Sequence, residues 1–374
     1  MKVLFLVTDD WYFLSHRKGL AVELLRRGHE VHLISNPSSR ERWDEIKEAG
    51  IQPHEVAFER DLLGQCRNAS QAMKLASLYR SIAPDIAHQV GFLPVVYGAF
   101  AAKKAKVEKV IHAVCGLGHA YGLKGARGSA LRFLIERGYS YALSSQRARV
   151  IFQNEEDQRY FDDKGLCREG QSVVIQGAGV DTEAFPFAHL PAGEVQPKVI
   201  HASRMLTTKG VLNSIEASKI LSEQGVSHQL ILAGRLHPEN PGAIDAELLE
   251  EAAVSRNITW AGDLTDMQKA LREASVVLLP SLYREGVPKV LLEAAATGRP
   301  MIATDMPGCR DVVIDGHSGA TVPCDDSSAL AQAIKEVLSN RVMREEWGLN
   351  ARRLAEEVFS ASKIYDETIE LYLD

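Results

Sequence analysis

Cysteine is scarce in this chain and unpatterned: Cys66, Cys115, Cys167, Cys309 and Cys324 are spread over 374 residues. They show neither close pairing nor the spacing of metal ligands, so they read as free thiols of a reducing compartment rather than a disulfide framework. Long apolar runs are missing too, since none approaches the roughly 18 residues of a membrane span. The opening MKVLFLVTDD has a short apolar run closed by two aspartates. It lacks the longer stretch and small-residue cleavage site of a secretory signal, so a cytoplasmic location is expected. No Asp-x-Asp occurs, which leaves a divalent metal without an obvious ligand pair. Metal independence is the expectation, with no other cofactor. Internal repeats and low-complexity segments are also missing.

What is present is an ordinary globular composition, 45% hydrophobic and 25% charged. The length exceeds what one hydrophobic core usually supports, so two domains are expected. The net charge of -6 conceals an asymmetry. Residues 1–180 hold 25 Lys and Arg against 20 Asp and Glu, whereas the remainder holds 18 against 29. Within residues 120–149, Lys124, Arg127, Arg132, Arg137, Arg147 and Arg149 face a single acid, Glu136, and are interleaved with Phe133, Tyr139 and Tyr141. A basic stretch carrying aromatics can dock on an anionic membrane surface. The plainer alternative is a solvated helix face with its aromatics in the core. No nucleic-acid motif accompanies it, so nucleic acid is not an expected partner.

The pattern along the chain alternates strand and helix. Strands are predicted at Lys2–Thr8, Glu30–Ser35, Gln52–Val56, Asp85–His88, Lys109–Val114, Arg149–Phe152 and Ser172–Ile175, with a helix over Tyr12–Arg27 closed by Gly28. The stretch 179–197 breaks the period with three prolines and reads as a linker. A second alternation follows, with strands at Lys198–Ala202, His228–Ala233, Ile258–Ala261, Ser275–Leu279 and Met301–Thr304, and helices from Ser327 onward. Such alternation implies parallel sheets covered on both faces. In open sheets of this kind, ligands sit at the carboxyl ends of the strands.

Two segments carry the chemistry. In LLPSLYREGVPKVLLEAAATGRPMIATD, residues 278–305, a buried strand leads into a loop and then a helix. Gly286 allows close backbone approach, and Pro288 suits the first helical turn. The amides and dipole of that turn favour phosphate. Glu285, in the loop, and Glu293, about two helical turns away, are spaced to bridge hydroxyls of a sugar and a ribose. The plainer alternative pairs Glu293 with Lys289 as an i,i+4 ion pair. In HASRMLTTKG, residues 201–210, Arg204 leaves a strand end and Lys209 opens the next helix. Cations there run against the helix dipole unless an anion occupies the site.

With these segments in place, the chain resembles the family 4 retaining glycosyltransferases of the GT-B fold. The resemblance runs through GHEV, the GAGVD turn, SRMLTTKG, LAGR, WAGDLTDM, PSLYREGVPKVLLEA and DMPGCRDVVIDGHSG. More narrowly it is similar to bacterial enzymes that extend polyprenyl-diphosphate-linked oligosaccharides, sharing the Gly116-Leu117-Gly118 turn, Thr304 to Arg310, and the helix start Phe13 to Arg17. The resemblance implies an α/β architecture of two Rossmann-like domains facing each other across a cleft. The first would span 1–178, rejoined by a helix at about 358–374; the second, donor-binding, would span 198–357.

It further implies that Arg204 and Lys209 bind the donor diphosphate and Glu285 the sugar hydroxyls, these three being the catalytic set. Gly286, Val287 and Pro288 would hold sugar and phosphate, Glu293 the ribose, and Asp263 and Leu264 the base. The acceptor, a polyprenyl-diphosphate-linked glycan, would meet His16, Arg17, Gly116 and His119. The implied donor is UDP-linked, carrying an N-acetylhexosamine, and the implied mechanism is retention by front-face attack. The implied place is the inner face of the plasma membrane, as a peripheral protein of polysaccharide or lipopolysaccharide synthesis. Where many members carry a histidine in the turn of the first domain, this chain has Cys115; either Cys115 or His119 would take that role. The Gly-rich loop usual after the first strand is replaced by TDDWYFLS. Three rival readings are a dinucleotide-binding loop at Gly116-x-Gly118, a nucleotide-sugar epimerase, and a non-catalytic sugar-nucleotide-binding subunit. The first is disfavoured because Gly122 falls one residue late for the fingerprint.

Overall fold

The computed structural model describes the chain except residues 57, 59–63, 119, 120, 123, 124, 194, 239 and 241, and describes residues 64–70 by backbone alone. Two compact units result: Met1–Gly116 with Leu123–Ala178 and Ile364–Asp374, and Leu117–Gly122 with Gly179–Lys363.

The first unit is built on seven parallel strands in the order β3-β2-β1-β4-β5-β6-β7. These are β1 (Lys2–Asp9), β2 (Glu30–Asn36), β3 (Gln52–Glu55), β4 (Ile86–Val90), β5 (Lys109–Val114), β6 (Ala148–Phe152) and β7 (Ser172–Val174). Alternate residues of β1 feed two cores: Val3, Phe5 and Val7 enter one, Leu4 and Leu6 the other. A strand with side chains of both parities buried must be covered on both faces. Between them run α1 (Asp10–His16), α2 (Lys18–Arg26), α3 (Arg40–Glu48), α4 (Gly64–Ile82), α5 (Phe92–Ala105), α6 (Gly125–Leu143) and α7 (Glu155–Asp163). The single helix expected over Tyr12–Arg27 is two. The break falls at Arg17, whose backbone (φ -131°, ψ -14°) leaves the helical region, and whose guanidinium is drawn into the protein.

The second unit has six parallel strands in the order β10-β9-β8-β11-β12-β13. They are β8 (Lys198–Ala202), β9 (Gln229–Ala233), β10 (Ile258–Gly262), β11 (Val276–Leu279), β12 (Met301–Thr304) and β13 (Gly319–Val322). Its helices are α8 (Val211–Glu223), α9 (Ala246–Ala253), α10 (Met267–Glu273), α11 (Lys289–Thr297), α12 (Ser327–Ser339) and α13 (Arg341–Glu357). Ile200 of β8 and Val277 of β11 enter one core, Val199 and Val276 the other. The segment expected to be a linker is part of this unit. Arg352 donates to the carbonyls of Phe185 (2.9 Å) and Ala296 (2.6 Å), and fully buried Arg299 donates to that of Ala188.

The final helix, α14 (Ala361–Leu373), completes the first unit. Its Ile364, Ile369 and Tyr372 pack in the core that holds Phe5 and Phe13. The Tyr372 hydroxyl lies 2.5 Å from His88 Nδ1 on β4, and Lys109 Nζ donates to the Tyr372 carbonyl at 3.0 Å. Among the described residues no helix is long and apolar enough to cross a membrane.

Candidate functional site

In the second unit β8 has β9 on one side and β11 on the other. The chain therefore leaves adjacent strand ends in opposite directions, which opens a crevice between them. The residues leaving β8 include Arg204 and Lys209; those leaving β11 include Ser281, Tyr283 and Glu285. Lys209 does not open the helix as expected. It ends a 3₁₀ turn (Thr207–Lys209), and Gly210 stands between that turn and α8 in the left-handed region (φ +72°). A Cβ on Gly210 would stand 1.9 Å from the Pro280 carbonyl oxygen, so glycine lets the two exits lie against each other. Leu282 N donates to Thr208 O at 2.8 Å across the same junction.

That junction brings Lys209 and Glu285 into contact. Lys209 Nζ donates to Glu285 Oε1 at 2.5 Å, and Ser281 Oγ donates to the same oxygen at 2.6 Å. The two side chains are 13% and 10% exposed. The ammonium also lies 5.0 Å from the Tyr283 ring centre, a cation–π distance. Burial pulls the Lys209 pKa down, but the Glu285 carboxylate and Tyr283 outweigh it and the net shift is upward. Lys209 is thus a fixed cation. Fully buried His201 on β8 is its opposite: burial, reinforced by Lys209, lowers its pKa to about 3, and it sits between Ser214 Oγ (2.8 Å) and Ser203 Oγ (2.9 Å) as a neutral ring.

The Glu285–Gly286 backbone is seated on the loop after β12. Glu285 N donates to Pro307 O at 3.2 Å, and a Cβ on Gly308 (φ +83°) would fall 1.5 Å from Gly286 O. Pro288 is the N-cap of α11 rather than a residue of its first turn (ψ 124°), and Lys289 begins the helix. Glu293 consequently lies about one turn into α11, closer to its start than expected. It is 9% exposed and makes the i,i+4 pair with Lys289 at 3.3 Å. Burial raises its pKa against the pull of Lys289. Asp263 and Leu264 follow β10; Asp263 Oδ2 is 3.8 Å from Arg235 Nε, after β9. Arg204, partly exposed, makes no side-chain ion pair among the described residues. An unpaired guanidinium, a buried ammonium and a helix N-terminus at one strand edge can stabilise an anion. Among the described residues no group of three His, Cys, Asp or Glu could hold a metal ion.

In the first unit Arg17 is 6% exposed. Its Nη1 donates to His16 O at 3.1 Å and its Nη2 lies 3.6 Å from Cys115 Sγ. Burial opposes its charge, while Cys115, Tyr12 and Tyr372 raise its pKa overall. His16 stacks on Tyr12 at 4.2 Å. Gly116, after β5, has φ +85°, and His119 lies outside the described residues. The basic stretch divides: Tyr139 is core, packed edge-on against Phe161, whereas Phe133 (61%), Leu134 (64%) and Tyr141 (44%) are exposed on α6. Lys124 lies outside the described residues. Sequence reasoning did not single out Ser281, Tyr283 or Arg235; the first two fall inside the PSLYREG segment and the third inside LAGR, so motif membership was their available signal.

Residues 2–154 match the family described as glycosyl transferase 4-like, and residues 183–354 that described as glycosyl transferases group 1. The N,N'-diacetylbacillosaminyl-diphospho-undecaprenol α-1,3-N-acetylgalactosaminyltransferase of Campylobacter jejuni is 25% identical over 376 residues, covering 96% of this chain and 95% of its own length. The UDP-Gal:α-D-GlcNAc-diphosphoundecaprenol α-1,3-galactosyltransferase of Escherichia coli is 24% identical, covering 83% and 82%. Among solved structures, Anabaena HepE in complex with UDP and glucose has the same fold, with a TM-score of 0.78 at 18% identity over 99% of each chain.

Proposed function

Because this chain belongs to the glycosyltransferases, 4-like in its first half and group 1 in its second, it is a sugar-transferring enzyme, and we propose that it extends a polyprenyl-diphosphate-linked glycan from a nucleotide sugar. The observation that carries the donor half of this reading is the Lys209–Glu285 contact at the crevice between β8 and β11. Arg204 and Lys209 neutralise the donor diphosphate and its growing charge as the glycosidic bond breaks. Fixed charges of this kind act without reorganising, which makes them effective in catalysis. Glu285 receives sugar hydroxyls, the Gly286–Pro288 backbone and the α11 N-terminus hold sugar and phosphate, and Glu293 holds the ribose. Asp263 and Leu264 lie against the base. The donor is UDP-linked, carries an N-acetylhexosamine, and reacts with retention and without a metal. The acceptor half uses His16, Arg17, Gly116 and His119.

Support for the acceptor class comes from the two bacterial relatives, both named for transfer to diphospho-undecaprenol sugars. Both are transferases by name, which favours transfer over an epimerase or a non-catalytic subunit. The enzyme works at the inner face of the plasma membrane as a peripheral protein of polysaccharide synthesis. α6 supplies the contact through Phe133 and Leu134 beside Arg132 and Arg137. The test is a transfer assay over UDP- and GDP-linked sugars with a synthetic polyprenyl-diphosphate-linked acceptor. UDP-N-acetylhexosamines should turn over; turnover of GDP-linked donors alone would sink the UDP assignment.

A further inference from the structure

Tyr283 leaves β11 two residues before Glu285, and it has no part in the donor contacts described above. It is partly buried, yet it packs in neither apolar core of the second unit. What its ring meets is Lys209, whose ammonium lies 5.0 Å from the ring centre. The backbone fixes that encounter. Leu282 N donates to Thr208 O at 2.8 Å, one residue away from each partner, and Ser281 Oγ donates to the same carbonyl at 3.4 Å.

We propose that Tyr283 is a positioning residue whose ring face holds the Lys209 ammonium in place for the donor diphosphate. The inference rests on the reading of Lys209 as a diphosphate ligand. A lysine presents a point charge on a flexible four-carbon stem, so a site that depends on it must restrain it. Glu285 restrains it through one hydrogen bond, but that carboxylate is assigned to the sugar hydroxyls. A second carboxylate would cancel charge that the diphosphate needs. An aromatic face has neither drawback. It attracts the ammonium through its quadrupole, more strongly where water is excluded, and the Lys209 side chain is 13% exposed. It also takes up none of the three N–H donors as a carboxylate would, which leaves them to phosphate oxygens.

Arg204 is within electrostatic reach of the same ring. Burial raises the Tyr283 pKa, and Lys209 and Arg204 both pull against it. Tyr283 thus borders both cations assigned to the diphosphate, while Ser281 holds the Glu285 oxygen that Lys209 meets. Ser281, Tyr283 and Glu285 all leave β11 and converge on one cation that leaves β8. A tyrosine kept for packing alone would tolerate any apolar chain of similar bulk. One that positions Lys209 tolerates only another ring.

The experiment measures affinity of the intact protein for UDP and for GDP by calorimetry, so that it depends on the diphosphate and not on the sugar or the acceptor. With whichever nucleotide binds, Lys209→Met should weaken affinity about 30-fold. Tyr283→Leu and Tyr283→Met, which keep apolar bulk without a ring, should each weaken it about 10-fold at an unchanged melting temperature. Tyr283→Phe should stay within about 2-fold of wild type. Added to Lys209→Met, Tyr283→Leu should cost less than about 2-fold more, because a residue acting through Lys209 has nothing left to position. The full loss in the Lys209→Met background would mean that Tyr283 acts by itself, and would overturn the proposal. Phenylalanine as damaging as leucine, or a lowered melting temperature in both aliphatic variants, would overturn it too. If Lys209→Met loses affinity while the aliphatic variants bind like wild type, the role of Tyr283 alone fails. If Lys209→Met binds like wild type, or wild type binds neither nucleotide, the donor reading falls and takes this proposal with it.

Discussion

Lys209 and Glu285 are each other's counter-ion in a nearly dry setting. Removing one partner of such a pair strands the other, at a cost of about 3–5 kcal/mol. Glu285→Ala should therefore lower the melting temperature as well as activity. Glu285→Gln keeps the shape and an amide oxygen that can accept from Ser281 and Lys209, so the melting temperature should fall less than in Glu285→Ala; kcat should fall about 100-fold while affinity for UDP is retained, read by steady-state kinetics and UDP inhibition. Arg17 is the contrary case, a buried cation whose nearest side-chain partner is a thiol. Arg17→Met should leave thermal stability unchanged or higher and raise the acceptor KM about 10-fold. His201 gives a pH signature. Its folded pKa, about 3, lies below the unfolded value of about 6.5, so below that pH the unfolded chain takes up a proton the folded chain refuses. Stability is complete above pH 6.5 and declines by about 1.4 kcal/mol per unit as pH falls toward 3. Urea unfolding at pH 7.0 and 5.0 should show this loss in wild type and a smaller one in His201→Gln. The motifs made Lys209 and Glu285 legible in the sequence, but not their pairing, because contact across 76 residues depends on how two strand exits pack.

At the scale of elements, strands buried on both faces were the most legible. Lys109–Val114, Lys198–Ala202 and Met301–Thr304 were read at their observed bounds because each is a short apolar run closed by polar or turn residues. β13 was missed: GATV is short, holds two small residues and follows a turn-rich stretch, so it has little hydrophobic signal. The split between α1 and α2 was hidden because an arginine in a helical pattern reads as solvent-facing, whereas Arg17 turns inward. Close backbone approaches left no trace beyond the glycines themselves. Gly308→Ala should push the Gly286 carbonyl off its seat, raising the donor KM more than it lowers kcat. α6 was legible as basic and aromatic; which aromatics are buried was not, since Tyr139 and Tyr141 are two residues apart and face opposite environments.

For the whole molecule, the two-unit α/β plan followed from length and alternation, while the strand orders did not, because crossover connections carry no marker in the chain. The charge asymmetry of the sequence, basic through residue 180 and acidic beyond, suggests orientation by long-range fields. Raising ionic strength from about 0.01 to 1 M shortens the screening length from about 30 to 3 Å. Sedimentation with anionic vesicles should fall steeply across that range, and salt-independent binding would count against an electrostatic contact. The placement of α14 also sets an order of events during synthesis. The second unit is continuous through Gly179–Lys363 apart from a six-residue segment, whereas the first needs Ile364–Asp374. As the nascent chain emerges, β4 and β5 wait for Tyr372 to reach His88 and Lys109. The half that is translated first is thus the half that closes last: a chain ending at Lys363 would hold every residue of the second unit and still lack the helix that completes the first.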